Sequence, residues 1–206
     1  MNALYLLIGS LLLTGCSLNR LEGQPYSFCK EPFIHPRIVE ELTTWCSDTG
    51  DQIISINLPD CQDSDRYHGD VEIFAVSNAY PIISCYENTT VPEAFFSYQY
   101  VGQTKSGIQV LKIQDSGGGS LVMEYFLLLS FERDRGIEYD ETSHTVRGKG
   151  LINLKRIGEI SGFLERNMEY VKSTTLSGNT LRIKTSDSFD PLYEGVYAIK
   201  INAGCL

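Results

Sequence analysis

Histidine, tryptophan and methionine are scarce in this chain of 206 residues, which holds three, one and three of them. His35, His68 and His144 are scattered, and no H-E-x-x-H pair of zinc ligands occurs. Neither G-x-S-x-G nor a P-loop nor G-x-G-x-x-G is present; Arg147-Gly148-Lys149-Gly150 lacks the upstream glycine of a phosphate loop. These absences remove the motif-based arguments for zinc hydrolysis, serine-elbow acyl transfer and nucleotide binding, and no cofactor is implied. Positive charge is scarce too: 17 Lys and Arg face 26 Asp and Glu, for a net charge of −9. Nucleic acid and anionic lipid headgroups are bound through clustered Lys and Arg, so neither is an expected partner of this surface.

A long hydrophobic run is also missing. The apolar N-terminal stretch, residues 3–15, has thirteen residues, none of them charged. As a helix it would reach about 20 Å, short of a hydrocarbon core of about 30 Å. Gly9, Ser10, Thr14 and Gly15 dilute it, and no polar face develops, which argues against a core helix. An apolar stretch of this length closed by small residues reads as a signal peptide.

Its end is more specific. Leu13-Thr14-Gly15-Cys16 resembles the lipobox of bacterial lipoproteins, an aliphatic residue and two small ones before a cysteine, although no Lys or Arg precedes it. The resemblance covers residues 1–16. It implies cleavage between Gly15 and Cys16 and acylation at Cys16, where two or three chains hold far more firmly than one. Ser17 stands where that family places an Asp for inner-membrane retention, so the resemblance favours the outer membrane.

The expected organisation is a signal peptide over 1–15, a lipidated cysteine and polar tether over 16–32, and one β-rich domain over 33–206. Within the domain, 33–92 is rich in Cys and Pro and 93–206 reads as a β-meander. With Cys16 acylated, Cys29, Cys46, Cys61, Cys85 and Cys205 remain for an oxidising compartment. Pairing in chain order, Cys29 with Cys46 and Cys61 with Cys85, closes short loops and leaves Cys205 unpaired or bridging two chains. Spacing alone does not fix connectivity. No C-x-x-C occurs, which argues against zinc.

One helix is expected, over 36–46, with Pro36 in its first turn and Ile38, Leu42 and Trp45 at helical spacing. Strands are expected at 52–58, 71–76, 81–86, 94–102, 108–113, 121–132, 145–156, 167–173, 180–185 and 195–202, with Gly136 marking a turn. Residues 121–132 are apolar at odd and even positions alike, as in a strand covered on both faces. Short polar turns without a βαβ rhythm predict a mainly β fold of antiparallel sheets: a sandwich, a barrel or a strongly curved sheet of about ten strands with one short N-terminal helix.

Three groups of residues invite a chemical reading. Asp48-Thr49-Gly50 and Asp115-Ser116-Gly117 have the D-[ST]-G form of aspartic protease turns, whose two carboxylates share a proton. Ser47 and Gln114 precede them where that family has apolar strand residues, and D-[ST]-G is also ordinary turn chemistry. Asp60, Asp63 and Asp65 crowd one loop, but Arg66 falls where a calcium loop needs glycine, so a solvated acidic loop is the simpler reading. Phe95, Phe96, Tyr98, Tyr100, Tyr125 and Phe126 would either line a ligand face or pair across strands in the core. The reading that results is a lipid-anchored envelope protein whose β domain binds an envelope protein, peptidoglycan or a small apolar ligand. The alternatives are a secreted carboxylate hydrolase and a structural component of the envelope.

Overall fold

Tyr125-Phe126-Leu127-Leu128-Leu129 can stay dry only if both faces of its strand are covered. The computed structural model describes residues 33–43, 53–58, 67, 70–86, 94–119, 122–161, 169–187 and 194–202. They form α1 (Pro36–Glu41), β1 (Ser55–Asn57), β2 (Val71–Phe74), β3 (Ile82–Tyr86), β4 (Ala94–Gln103) and β5 (Gln109–Gly117). After these come β6 (Met123–Asp140), β7 (Thr145–Ile160), β8 (Glu169–Ser177), β9 (Thr180–Asp187) and β10 (Glu194–Lys200). One antiparallel sheet has the order β1-β7-β6-β5-β4-β3-β2 and the other the order β10-β9-β8. Two antiparallel sheets with one short helix match the expected class, and no barrel closes.

Alternation along β4, β5 and β6 divides the core. Phe96, Tyr98, Tyr100, Leu111, Ile113, Tyr125, Leu127 and Leu129 point to one face, where Ile38, Val39 and Leu42 of the helical segment are buried against them. Val110, Phe126 and Leu128 point to the other and meet Val171, Leu181 and Ile183 of the small sheet. Each aliphatic side chain fully buried this way stabilises the fold by about 1.5–3 kcal/mol. The central strands are therefore apolar on both faces because each face has its own cover.

Polar ties bracket the second interface. The Glu124 carboxylate accepts from Lys112 Nζ at 2.8 Å, Gln114 Nε2 at 2.6 Å and the Val171 amide of β8 at 2.8 Å. At the far end of β8 the turn between β4 and β5 meets the turn between β8 and β9, where the Lys105 amide donates to Asn179 Oδ1 at 2.9 Å. On the helix face the buried Tyr98 hydroxyl donates to the Ile34 carbonyl at 2.6 Å, fixing the segment that enters α1.

Several boundaries differ from expectation. The helix ends at Glu41 rather than residue 46. The Leu42 and Thr43 amides turn to carbonyls three residues back, and the Thr43 hydroxyl bonds the Glu40 carbonyl at 2.7 Å, tightening the last turn; Trp45 lies outside the described residues. Ile54 is exposed and outside β1, while Ile56 is buried. The largest difference is at Gly136: it is no turn but the interior of β6, paired with Lys149, and the turn comes at 141–144. β6 consequently runs on to Asp140 instead of ending at 132, while β7 starts at 145 as expected and ends at Ile160 instead of 156.

Tyr98→Phe leaves the Ile34 carbonyl buried without its donor and should cost about 1–3 kcal/mol in urea unfolding. Tyr86→Phe, on the exposed end of β3, should change stability by less than about 0.5 kcal/mol. Burial and the neighbouring Tyr80 push the Tyr100 phenol from 10.0 up to about 12, and burial raises Tyr98 as well. Unfolded phenols lose their protons first, so this contribution to stability is intact below pH 10.0 and declines as pH rises toward about 12. Thermal melts across that window should show falling stability, with a shallower fall in Tyr100→Phe.

Candidate functional site

Of the residues singled out by sequence, most lie outside the described set: Gly15, Cys16, Cys29, Cys46, Asp48, Cys61, Asp60, Asp63, Asp65 and Cys205. Cys85 is described; it is buried in β3, 2% exposed, and pairs in register with Phe96. Asp115-Ser116-Gly117 forms the last three residues of β5, with Asp115 opposite Phe96 and Met123, so this D-S-G is strand rather than turn. Among the described residues no three His, Cys, Asp or Glu side chains gather as a metal would need.

The aromatic group resolves into core. Phe96, Tyr98, Tyr100, Tyr125 and Phe126 are buried, and the Tyr80 and Tyr100 rings meet tilted at 60° with 4.9 Å between centroids. These five rings lie in the core beneath α1 and the small sheet, while Phe95 of the same group is half-buried on β4. Ile82, Ser97, Gln99, Lys112 and Gln114 border a depression with room for only about 20 Å³. Sites that enclose a drug-sized molecule run to about 300–1,000 Å³. This depression is too small for that role.

The structure instead offers an arm. β5 accompanies β6 only as far as Leu129, and β1 accompanies β7 only over 153–155. Among the described residues, beyond these points β6 and β7 pair with each other alone, from Arg133 opposite Ile152 to Asp140 opposite Thr145. At about 3.3 Å per residue this ribbon projects about 26 Å.

Its two faces differ in chemistry. On one, three acids of β6 reach bases of β7 two residues past their register partners: Arg147 to Asp140 at 3.1 Å, Lys149 to Glu138 at 3.7 Å, and Lys155 to Glu132 at 3.3 Å at the base. The right-handed twist of a two-stranded ribbon brings this diagonal together. Gly136 belongs to the same diagonal, and a Cβ there would lie 3.1 Å from Leu151 Cδ1. At the tip the Ser143 hydroxyl and amide and the Thr142 amide hold the Asp140 carboxyl below the usual carboxylate range, fixing the turn.

The opposite face carries Arg133, Arg135, Ile137 and Tyr139 on β6 and Val146, Gly148, Gly150 and Ile152 on β7. It continues the helix-covered face of the sheet outward, without a cover among the described residues. Ile137 is 80% exposed, Val146 62% and Tyr139 57%. A Cβ at Gly148 or Gly150 would meet nothing within 4 Å, and neither glycine has a positive φ. Glycine in a strand interior is unfavourable by roughly 0.5–1 kcal/mol relative to alanine, so the arm carries two glycines that its own packing does not need. Sequence reasoning passed over this arm because Gly136 looked like its end; the alternation of 132–140 and 145–152 was the available signal.

Gly148→Val and Gly150→Val should each slow amide exchange in residues 133–151 by about two- to fivefold, the equivalent of roughly 0.5–1 kcal/mol. Gly136→Val should speed it, because Leu151 occupies the space its side chain enters. Hydrogen exchange followed by mass spectrometry distinguishes the three.

No protein-family model, curated protein or solved structure matches this chain.

Proposed function

We propose that the chain is a lipid-anchored binding module of the bacterial cell envelope and that the β6–β7 arm is its recognition element. The observation that carries this reading is the arm itself: a ribbon about 26 Å long with an exposed Ile137, Tyr139 and Val146 face, extending past the described strands that flank it, β5 and β1. Contiguous exposed apolar surface rimmed by charge marks interaction sites. Leu13-Thr14-Gly15-Cys16 supplies the location, through acylation of Cys16 at the outer membrane. A protein so tethered needs no catalytic centre to act; it needs a surface that reaches a neighbour. An envelope protein suits such a surface better than a small apolar ligand, because a ribbon face is open and encloses nothing.

The experiment is photo-crosslinking in intact bacteria, with a benzophenone side chain replacing Tyr139 or, as control, Val196 on β10. A discrete adduct at Tyr139 that is absent at Val196 is the expected result. Equal labelling at both positions, or none at Tyr139, would remove the arm from the function. Palmitate labelling that persists in Cys16→Ala would remove the anchor.

A further inference from the structure

The arm has a second property that its exposed face does not reveal. The amide of Ile152 points away from β6 and donates to Asn57 Oδ1 at 3.4 Å, and the amide of Arg156 donates outward to the Ile54 carbonyl at 2.8 Å. In an antiparallel pair the outward backbone groups belong to alternate residues. No register shift falls between 145 and 152, so Val146, Gly148 and Gly150 present N–H and C=O groups outward as Ile152 does. β1 fills this lane beside 153–155 and Asn57 closes its end. Beyond Asn57 the lane is empty among the described residues.

The charged side chains that β7 itself places along this lane have one sign. From 145 to 152, β7 contributes Arg147 and Lys149 and no acid. On the other face Arg135 stands opposite Gly150, whose bare backbone leaves the strand between Arg135 and the lane uncovered. An arginine side chain spans one such spacing of about 4.8 Å. The carboxylates of the arm, Asp134, Glu138 and Asp140 on β6 and Glu141 in the tip turn, stand one strand further from the lane, on the face of Arg147 and Lys149, with Arg135 on the reverse face. The strand nearest the lane thus carries only basic side chains, on a chain of net charge −9.

Resting on the reading of the arm as the recognition element, we infer that the outer edge of β7 between 145 and 152 accepts an extended, acidic segment of a protein partner as an added strand. Its backbone pairs with Val146, Gly148 and Gly150, its carboxylates meet Arg147 and Lys149 on one face and Arg135 on the other, and its apolar side chains settle beside Ile137. The glycines then have a purpose: they keep the face flat where the side chains of β6 and of the partner meet. A second copy of the chain is disfavoured at this edge, since β7 against β7 would oppose Arg147 and Lys149 to themselves. The outer edge of β6 is the poorer acceptor, because Asp134, Glu138 and Asp140 would repel an acidic strand.

The test pans a displayed library of random dodecapeptides against the purified full chain and measures the selected peptides by calorimetry. Acidic peptides with alternating apolar residues are expected. Gly148→Pro removes an outward N–H without touching the pairing to β6, and edge strands tolerate proline. It should weaken Kd at least tenfold while hydrogen exchange shows the arm intact. Arg135→Glu should weaken Kd severalfold, and so should raising ionic strength. Selection of neutral or basic peptides, or of none, overturns the inference, as does binding indifferent to Gly148→Pro. Binding confined to phosphatidylglycerol vesicles, or self-association through the arm, overturns it equally. Crosslinks at Tyr139 that survive Gly148→Pro would leave the arm as the recognition element and discard strand addition alone; loss of the Tyr139 adduct in the unaltered chain would discard the arm itself.

Discussion

The pairing of β6 with β7 is the constraint on which the other elements depend. β6 gives β5 its edge on one side, and β7 gives β1 its edge on the other. Through Phe126 and Leu128 on one face and Tyr125, Leu127 and Leu129 on the other, the same strand supplies the middle of both cores. A one-residue slip against β7 would exchange the two faces of β6 relative to its partner and set Leu151 against a side chain instead of Gly136. The shift that does occur, a bulge at Ile157 between the Leu128 and Leu129 pairings, lies inside the sheet and leaves the arm in unbroken register.

Apolar contact alone would let the small sheet slide, because hydrophobic burial is non-directional. The polar ties give it direction. Glu124 sits among Lys112, Gln114 and the Val171 amide, so its charge is both paired and hydrogen-bonded where water is largely excluded. Removing one member would leave a buried charge unmatched, which costs several kcal/mol, whereas forming the pair gains little net over apolar packing. Its contribution is therefore position more than stability: together with the tie of Lys105 to Asn179 it brackets the length of β8.

Much of the fold was legible because its signals are local. Pro36 at a helix start, the glycine-bearing turn at 103–107 and the two-faced apolar run at 125–129 each depend on a few neighbouring residues, and each was placed correctly. Gly136 failed for the opposite reason. A glycine in a turn and a glycine beneath a cross-strand leucine look alike in sequence, and only the register with β7 separates them. The exposed isoleucine at 54 fails similarly, since alternation marks a face but does not say whether anything covers it. The candidate site was illegible as chemistry because it uses none of the residue types that catalysis advertises. It is made of backbone edge, glycines and a division of charge between two strands.

That division has an energetic consequence. Arg147 and Lys149 are already engaged with Asp140 and Glu138, so an incoming carboxylate must compete for them. Exposed ion pairs of this kind are each worth about 0–1 kcal/mol, and salt weakens them further. Exchanging one carboxylate for another is then nearly neutral, and the intramolecular pairs hold the ribbon in shape until the exchange occurs. The net gain on binding comes from the backbone of Val146, Gly148 and Gly150, whose outward groups face solvent beforehand, and from the apolar side chains beside Ile137. Charge selects the partner and its register, backbone pairing holds it, and the glycines allow both on a strip of two strands. An arm built this way needs no conformational change to bind, because its bonding groups already face the empty lane.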